Sequence, residues 1–359
     1  MRFKAKLAPE QLHMLHQIIT PMSRIASTGS TTSPADTGAA SSSWLSQGWT
    51  RHGSVLYFDN TVLRISAKGS ASRETDQVCC FAELFTNVLF LEHRIQSVAD
   101  DNAIVMEVDL VQLRMALQSI VQEQRSEKSA LAAAARGGGG GMVAHAVTIV
   151  KLAKRNNVPC LCLDATLSAS GMAVHHSIPV RILRPTEMKQ YYPPALEQHA
   201  HGDRTVQVQL APDKPLRSVV EGIRAMNAPI LYVKACQRTG ELTLMVERDG
   251  ASIRIFLHQL AVPMKDQQTP ATTAEASGND TRSDQCTVKV DTKKLCASLQ
   301  WQHQQQQQPS SSSSMVSQAL LCLVKNEMLV VHVVLHPPAL GFFTYYVPVH
   351  YLPEDPADE

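Results

Sequence analysis

The residues able to do chemistry in this chain of 359 are scattered, and their spacing argues against a catalytic or metal centre. His13 and His16 stand one helical turn apart, a spacing at which two imidazoles can share a zinc ion, but no third ligand accompanies them. Arg136 precedes five glycines, 137–141, a composition suited to cradling phosphate. A nucleotide loop needs Lys and then Ser or Thr after its glycines to reach phosphate and magnesium, and here Met142 and Val143 follow. The eight cysteines include no C-x-x-C pair: Cys79 and Cys80 are adjacent, and Cys160 and Cys162 alternate in an apolar run. That spacing suits neither a zinc knuckle nor a redox dithiol. It reads as buried free thiols in a reducing compartment. His175 and His176, in extended chain, point to opposite faces and cannot chelate one ion together. No Ser, His and Asp set with a nucleophile turn stands out, nor do paired carboxylates in an apolar frame. The expectation is a protein that is not an enzyme and carries no cofactor and no metal.

What remains is a set of polar and cationic side chains at helical spacing. In a first helix, Leu12, Leu15, Ile18, Ile19 and Met22 form an apolar face that leaves His13, Gln17 and Arg24 opposite. A second, 110–121, has Met115, Gln118 and Ser119 on its far face, with Arg114 only flanking. In a third, Leu216, Val219, Val220, Ile223 and Met226 group together, with Lys214 and Ser218 opposite and Arg217 and Arg224 on the flank. A short fourth helix turns Leu295 and Leu299 one way and Lys293 and Lys294 away. Such faces suit phosphate contact without base reading. They also suit an ordinary solvated surface. The net charge of +1 restricts any nucleic-acid contact to a local patch.

The elements that must position these faces occur twice. Phe3-Lys4-Ala5-Lys6-Leu7 leads through Ala8-Pro9-Glu10 into a helical run; Val206-Gln207-Val208-Gln209-Leu210 leads through Ala211-Pro212-Asp213 into another. Proline followed by an acid is a sound helix start. Asp109, Leu113 and Leu117 recur in spacing as Asp291, Leu295 and Leu299, each set after a strand-like run, and each Asp can cap its helix. A hairpin pattern follows each, turning at Asn156-Asn157 and near Lys325-Asn326. Strands outnumber helices and are joined by hairpins, which predicts an α+β fold of mainly antiparallel sheets with helices on one face. Four stretches without apolar pattern read as insertions: 27–52, 123–144, 266–285 and 302–314. The expected organisation is a first domain over 1–174, a connector over 175–204 and a second domain over 205–359. The alternating N-terminus has no apolar core of signal-peptide length, and no stretch approaches ~20 apolar residues. A soluble, intracellular protein is expected.

Seven runs follow one another along the chain: Met1-Arg2-Phe3-Lys4-Ala5-Lys6, Val158-Pro159-Cys160-Leu161-Cys162-Leu163, His176-Ser177-Ile178-Pro179-Val180-Arg181-Ile182, Arg217-Ser218-Val219-Val220-Glu221, Gly240-Glu241-Leu242-Thr243-Leu244, Lys325-Asn326-Glu327-Met328 and Tyr345-Tyr346-Val347-Pro348. They resemble the Hus-one-type subunit of the nine-one-one (9-1-1) checkpoint clamp. Their order and spacing span nearly all the patterned sequence. The resemblance implies the DNA-clamp fold of proliferating-cell nuclear antigen, with two similar domains whose helix pairs line a hole and whose sheets lie outside. It also implies a non-catalytic subunit that joins two paralogous subunits in a heterotrimeric ring, placed on double-stranded DNA by a clamp loader. That ring would recruit checkpoint and repair proteins in the nucleus. His13, Arg24, Lys214, Arg217, Arg224, Lys293 and Lys294 would face the DNA. Met115 and Gln118 depart from the basic residues the family tends to carry on its second helix. The alternatives are a homotrimeric replication-type clamp and a clamp-fold adaptor that never encircles DNA.

Overall fold

The computed structural model describes residues 1–27, 54–69, 76–99, 101–135, 147–167, 171–184, 187, 205–210, 216–248, 250–262, 284–302, 315–336 and 340–352. They form two compact units. The first takes in Met1–Pro193 and Leu335–Phe343, the second Pro194–Val334 and Thr344–Glu359.

In the first unit the strands are β1 (Arg2–Leu7), β2 (Ser54–Phe58), β3 (Val62–Lys68), β4 (Cys79–Phe85), β5 (Glu92–Gln96), β6 (Ile104–Val108), β7 (Thr148–Arg155), β8 (Val158–Thr166) and β9 (Ala173–Ile182). All the pairings are antiparallel and run β5–β1–β7–β8–β9, then β9–β6–β2–β3–β4. Alternation writes this sheet: Phe3, Ala5 and Leu7 turn inward from β1 while Lys4 stays exposed and Lys6 pairs with Glu92 at 2.8 Å. Asn156 and Asn157 take positive φ, +48° and +64°, and make the β7–β8 turn that their tolerance of the left-handed region predicts. Helices α1 (Pro9–Ser27) and α3 (Leu110–Ala135), with the single turn α2 (Thr86–Leu89) between them in sequence, complete the unit. Leu15 and Ile19 of α1, Leu113 and Leu117 of α3 and Leu161 and Leu163 of β8 line one small apolar void, so both helices bury into the same core.

In the second unit the strands are β10 (Thr205–Leu210), β11 (Ile230–Cys236), β12 (Glu241–Arg248), β13 (Ala251–Leu257), β14 (Gln285–Asp291), β15 (Val316–Val324), β16 (Met328–Leu335) and β17 (Gly341–His350), with helices α4 (Leu216–Ala225) and α5 (Thr292–Ser298). Leu335, which ends β16, the connection after it and the first three residues of β17 belong to the first unit. The pairing scheme repeats the first. β10 lies antiparallel to β15 as β1 does to β7, and β14–β11–β12 matches β6–β2–β3. Asn326, at φ +60°, sits in the β15–β16 turn. Both capping aspartates act as their spacing predicts. Asp109 accepts from the amides of Val111 (2.8 Å) and Gln112 (3.2 Å), and Asp291 from those of Lys293 (2.8 Å) and Lys294 (3.1 Å).

Several expectations are corrected. The segment 123–135, read as part of an insertion, continues α3, because Glu, Gln, Arg, Lys and an alanine run are strong helix formers. Residues 175–182, expected to open the connector, are a paired strand of the first unit. Their far end is clasped by Arg181, whose Nε donates to the buried Glu107 carboxylate at 2.7 Å. Gln302, assigned to the last insertion, is buried and its Oε1 accepts from the Arg217 amide at 2.8 Å. Gln17 is also buried, since α1 packs on the sheet and on α3 at once. Met226 lies past the end of α4 and is exposed. The insertion residues 28–52, 136–144, 266–283 and 303–314 lie outside the described residues.

Residue 341 sets the tightest backbone approach. Gly341 has φ +139°, and a Cβ there would run into the Glu83 carbonyl, while next to it the Leu340 carbonyl accepts from Phe85 N at 2.9 Å. Gly341→Ala should therefore destabilise the chain by about 3 kcal/mol or more through strain and clash together. Gly171→Ala, at φ +66° with open space around it, should cost only about 1 kcal/mol. Denaturant midpoints of the two variants check this, and equal losses would contradict the close approach.

Candidate nucleic-acid interface

In the first unit the polar surface is the seam between α1 and α3, which pack side by side. Arg24 is exposed in the last turn of α1, where a cation complements the helix dipole. On α3, Met115 is exposed at 58% and Gln118 is half-buried, as the sequence pattern requires. The added turns of α3 supply what that stretch lacks. Arg125 and Lys128 are exposed on them, and Arg125 Nη2 lies 3.2 Å from His13 Nε2. His13 is thus not a free polar group: it is half-buried against α3, and its Nδ1 is buried without a hydrogen-bond partner. Burial, then the Arg125 charge, lowers its pKa from the usual imidazole value. His16 is pushed down to about 4, first by burial and then by the charges of His13, Arg114 and Arg125.

In the second unit α4 and α5 pack on each other, and Leu216, Val220, Ile223, Leu295 and, just past α5, Leu299 are buried. Arg224 in the last turn of α4 and Lys293 in the first turn of α5 are exposed, and Lys294 is half-buried. Arg217 departs from the expectation. Its side chain is only 11% exposed, and Nε and Nη2 both donate to Glu221 Oε1, at 3.0 and 2.6 Å, one helical turn on. The buried Gln302 fixes its backbone as well. Arg217 is thus held in an ion pair on its own helix. Lys214 lies outside the described residues.

Sequence spacing also hid a polar row on the outer side of β8 and β9. His175 Nδ1 contacts Asp164 Oδ1, and His175 Nε2 lies 3.1 Å from Ser177 Oγ. Cross-strand register makes it, with Asp164 opposite His175 and Ser177 two residues on. Arg155 Nη2 lies 3.0 Å from the same Nε2, so the lone pair a general base would use already takes a hydrogen bond. Lys151 completes the row with an ion pair to Asp164 at 2.7 Å. These groups clasp the β7–β8–β9 hairpins. Among the described residues no three His, Cys, Asp or Glu converge as a metal site and no disulfide joins the cysteines, of which Cys79 and Cys322 are half-buried and the others buried.

The chain matches known proteins in family and in fold. Residues 51–350 match the family described as Hus1-like protein. The proliferating cellular nuclear antigen of Entamoeba histolytica aligns with a TM-score of 0.56 at 8% identity, covering 97% of this chain and 99% of its own. A Sulfolobus tokodaii structure of a PCNA2–PCNA3 complex aligns with a TM-score of 0.54 at 8% identity, with the same coverage. No curated protein sequence matches the chain. The fold is therefore the DNA-clamp fold, held at an identity where only pattern survives.

The depressed imidazole has a consequence for stability. Folded His16 refuses a proton that the unfolded chain accepts below pH 6.5, so its contribution is complete above that value and is lost as pH falls toward about 4. The melting temperature should fall over this window in the wild-type chain and fall less in His16→Gln. Identical pH profiles for the two chains would contradict the half-buried neutral imidazole.

Proposed function

The chain belongs to the Hus1-like protein family, and from that premise we propose that it is a non-catalytic subunit of a heterotrimeric sliding clamp that encircles duplex DNA. The observation that carries the reading is the duplicated clamp module over nearly the whole chain, each copy with one polar helix surface and a sheet behind it. A ring held on DNA by its topology needs no sequence-reading contacts and no strongly basic surface, which fits a net charge of +1. On this reading a clamp loader opens and places the ring, and checkpoint and repair proteins dock on it in the nucleus.

Strand β13 supports assembly with other chains. It pairs with β12 along its length, and no strand pairs with its outer edge among the described residues. Both of its faces are open, with Ile253 39% and Phe256 51% exposed. A long edge strand carrying bulky apolar groups is a template for strand addition by a partner. The Sulfolobus tokodaii structure, a complex of two different clamp proteins, is a precedent for partners that are paralogues rather than copies.

Light scattering of the purified chain should give a monomer at micromolar concentration. Co-expression with its two paralogues should give a one-to-one-to-one particle. Ile253→Glu with Phe256→Glu should leave the monomer folded and lose one neighbour from that particle. A stable homotrimer of the chain alone would point to a replication-type clamp, and a soluble monomer that joins no paralogue would point to an adaptor.

A further inference from the structure

Two imidazoles and two guanidiniums gather at the α1–α3 seam, His13 and His16 from one helix, Arg114 and Arg125 from the other. Among the described residues none of the four has a carboxylate partner. The arrangement resists protons in the free chain, because half-burial and like charge both oppose an imidazolium there. The contact between Arg125 and His13 adds a geometric constraint. A guanidinium only donates, so His13 Nε2 at 3.2 Å must accept, and the ring proton sits on Nδ1. That nitrogen is buried and finds no acceptor. The free seam is incompletely satisfied.

The surroundings supply no compensating charge. α1 packs on β1, β3 and β4. These strands turn apolar side chains such as Phe3, Leu7, Leu63, Ile65 and Leu84, and the buried Cys80 thiol, inward. Arg64 and Glu83, on the alternate face of β3 and β4, pair with each other at 2.8 Å. Glu10 and Arg24 of α1, and Glu123, Glu127 and Lys128 of α3, are not among the groups that shift the imidazoles; Arg114 and Arg125 are.

An anion reverses each of these terms. A phosphate oxygen seated between Arg125 Nη2 and His13 Nε2 accepts from the guanidinium, frees Nε2 from its role as acceptor, and rewards a proton placed on it. The same charge offsets the repulsion that Arg114 and Arg125 exert on His16. We propose that the His13–His16–Arg114–Arg125 seam is a proton-linked phosphate site, which grips a phosphodiester of the duplex and takes up protons on its imidazoles as it does so. The proposal rests on the reading of this helix face as turned toward DNA, and adds that the grip tightens as pH falls. Each proton taken up strengthens binding by up to about tenfold per unit fall in pH, between the free and bound titration ranges of the imidazoles.

The test uses the full chain and a short fluorescent DNA duplex at low salt, with binding followed by anisotropy at about pH 8 and about pH 6. The wild-type chain should bind roughly three- to tenfold more tightly at the lower pH. His13→Gln with His16→Gln should match it at the higher pH and lose the gain, and Arg125→Ala should bind more weakly at both. Nitrogen NMR of the wild-type imidazoles needs no variant: both should titrate closer to neutrality when duplex is added. Binding that ignores pH, or a pH response that survives in the double variant, overturns the proposal but leaves the DNA-facing reading in place, provided Arg125→Ala still weakens binding. A chain that binds no duplex at either pH overturns both. If inorganic phosphate shifts the two imidazoles as strongly as duplex does, the site serves a free anion and the assignment to DNA falls.

Discussion

A helix laid on a sheet can bury only one of its sides, and this chain applies that constraint twice. Each module places two helices on the face of an antiparallel sheet, so apolar side chains at i, i+3 and i+4 go down and polar groups are left on the other side. Alternation in strands such as β1, β4, β10 and β14 turns an apolar face inward, and Asp109 and Asp291 cap α3 and α5 where they start. The polar helix surface is thus a by-product of packing as much as a functional device. The exposed cations differ between the units: Arg125 lies against His13 in one, and Arg224 and Lys293 are in the open in the other.

Much of this was legible in the sequence because it is periodic or locally coded. The first L-A-P-acid helix start, the two spaced Asp-Leu-Leu sets and the asparagine turns each depend on residues within a few positions, and the strands around them pair in a scheme that repeats between units; the second L-A-P-acid start, at 211–213, lies outside the described residues. What escaped depends on contacts distant in sequence. Arg217 belongs by spacing to the flank of α4, and only Glu221 together with Gln302, 85 residues away, shows that it is held down. The helical extension of α3 was read as an insertion because it lacks an apolar stripe. Propensity carries it instead, with Arg125 reaching His13 on α1 and Gln124 reaching Thr148 on β7. The row from Asp164 to His175 and Ser177 needed a cross-strand register that spacing alone does not reveal.

The family match and the structural likeness carry different weight. At 8% identity the proliferating cellular nuclear antigen alignment reports the fold alone, whereas the match over residues 51–350 reports ancestry. An exposed β13 edge costs solubility unless a partner covers it. The buried His13 Nδ1, without a hydrogen-bond partner, is a local cost that an acceptor would relieve. Both are local penalties that association would relieve, and both sit on features that a ring around DNA would use.

The claim that the chain is part of a ring around DNA predicts retention by topology. Rings assembled with the two paralogues should be loaded onto a closed circular plasmid and challenged with salt high enough to screen phosphate contacts. They should remain on the closed circle and be released when a single cut linearises it. Release by salt alone, at the same rate from circular and linear DNA, would contradict the account.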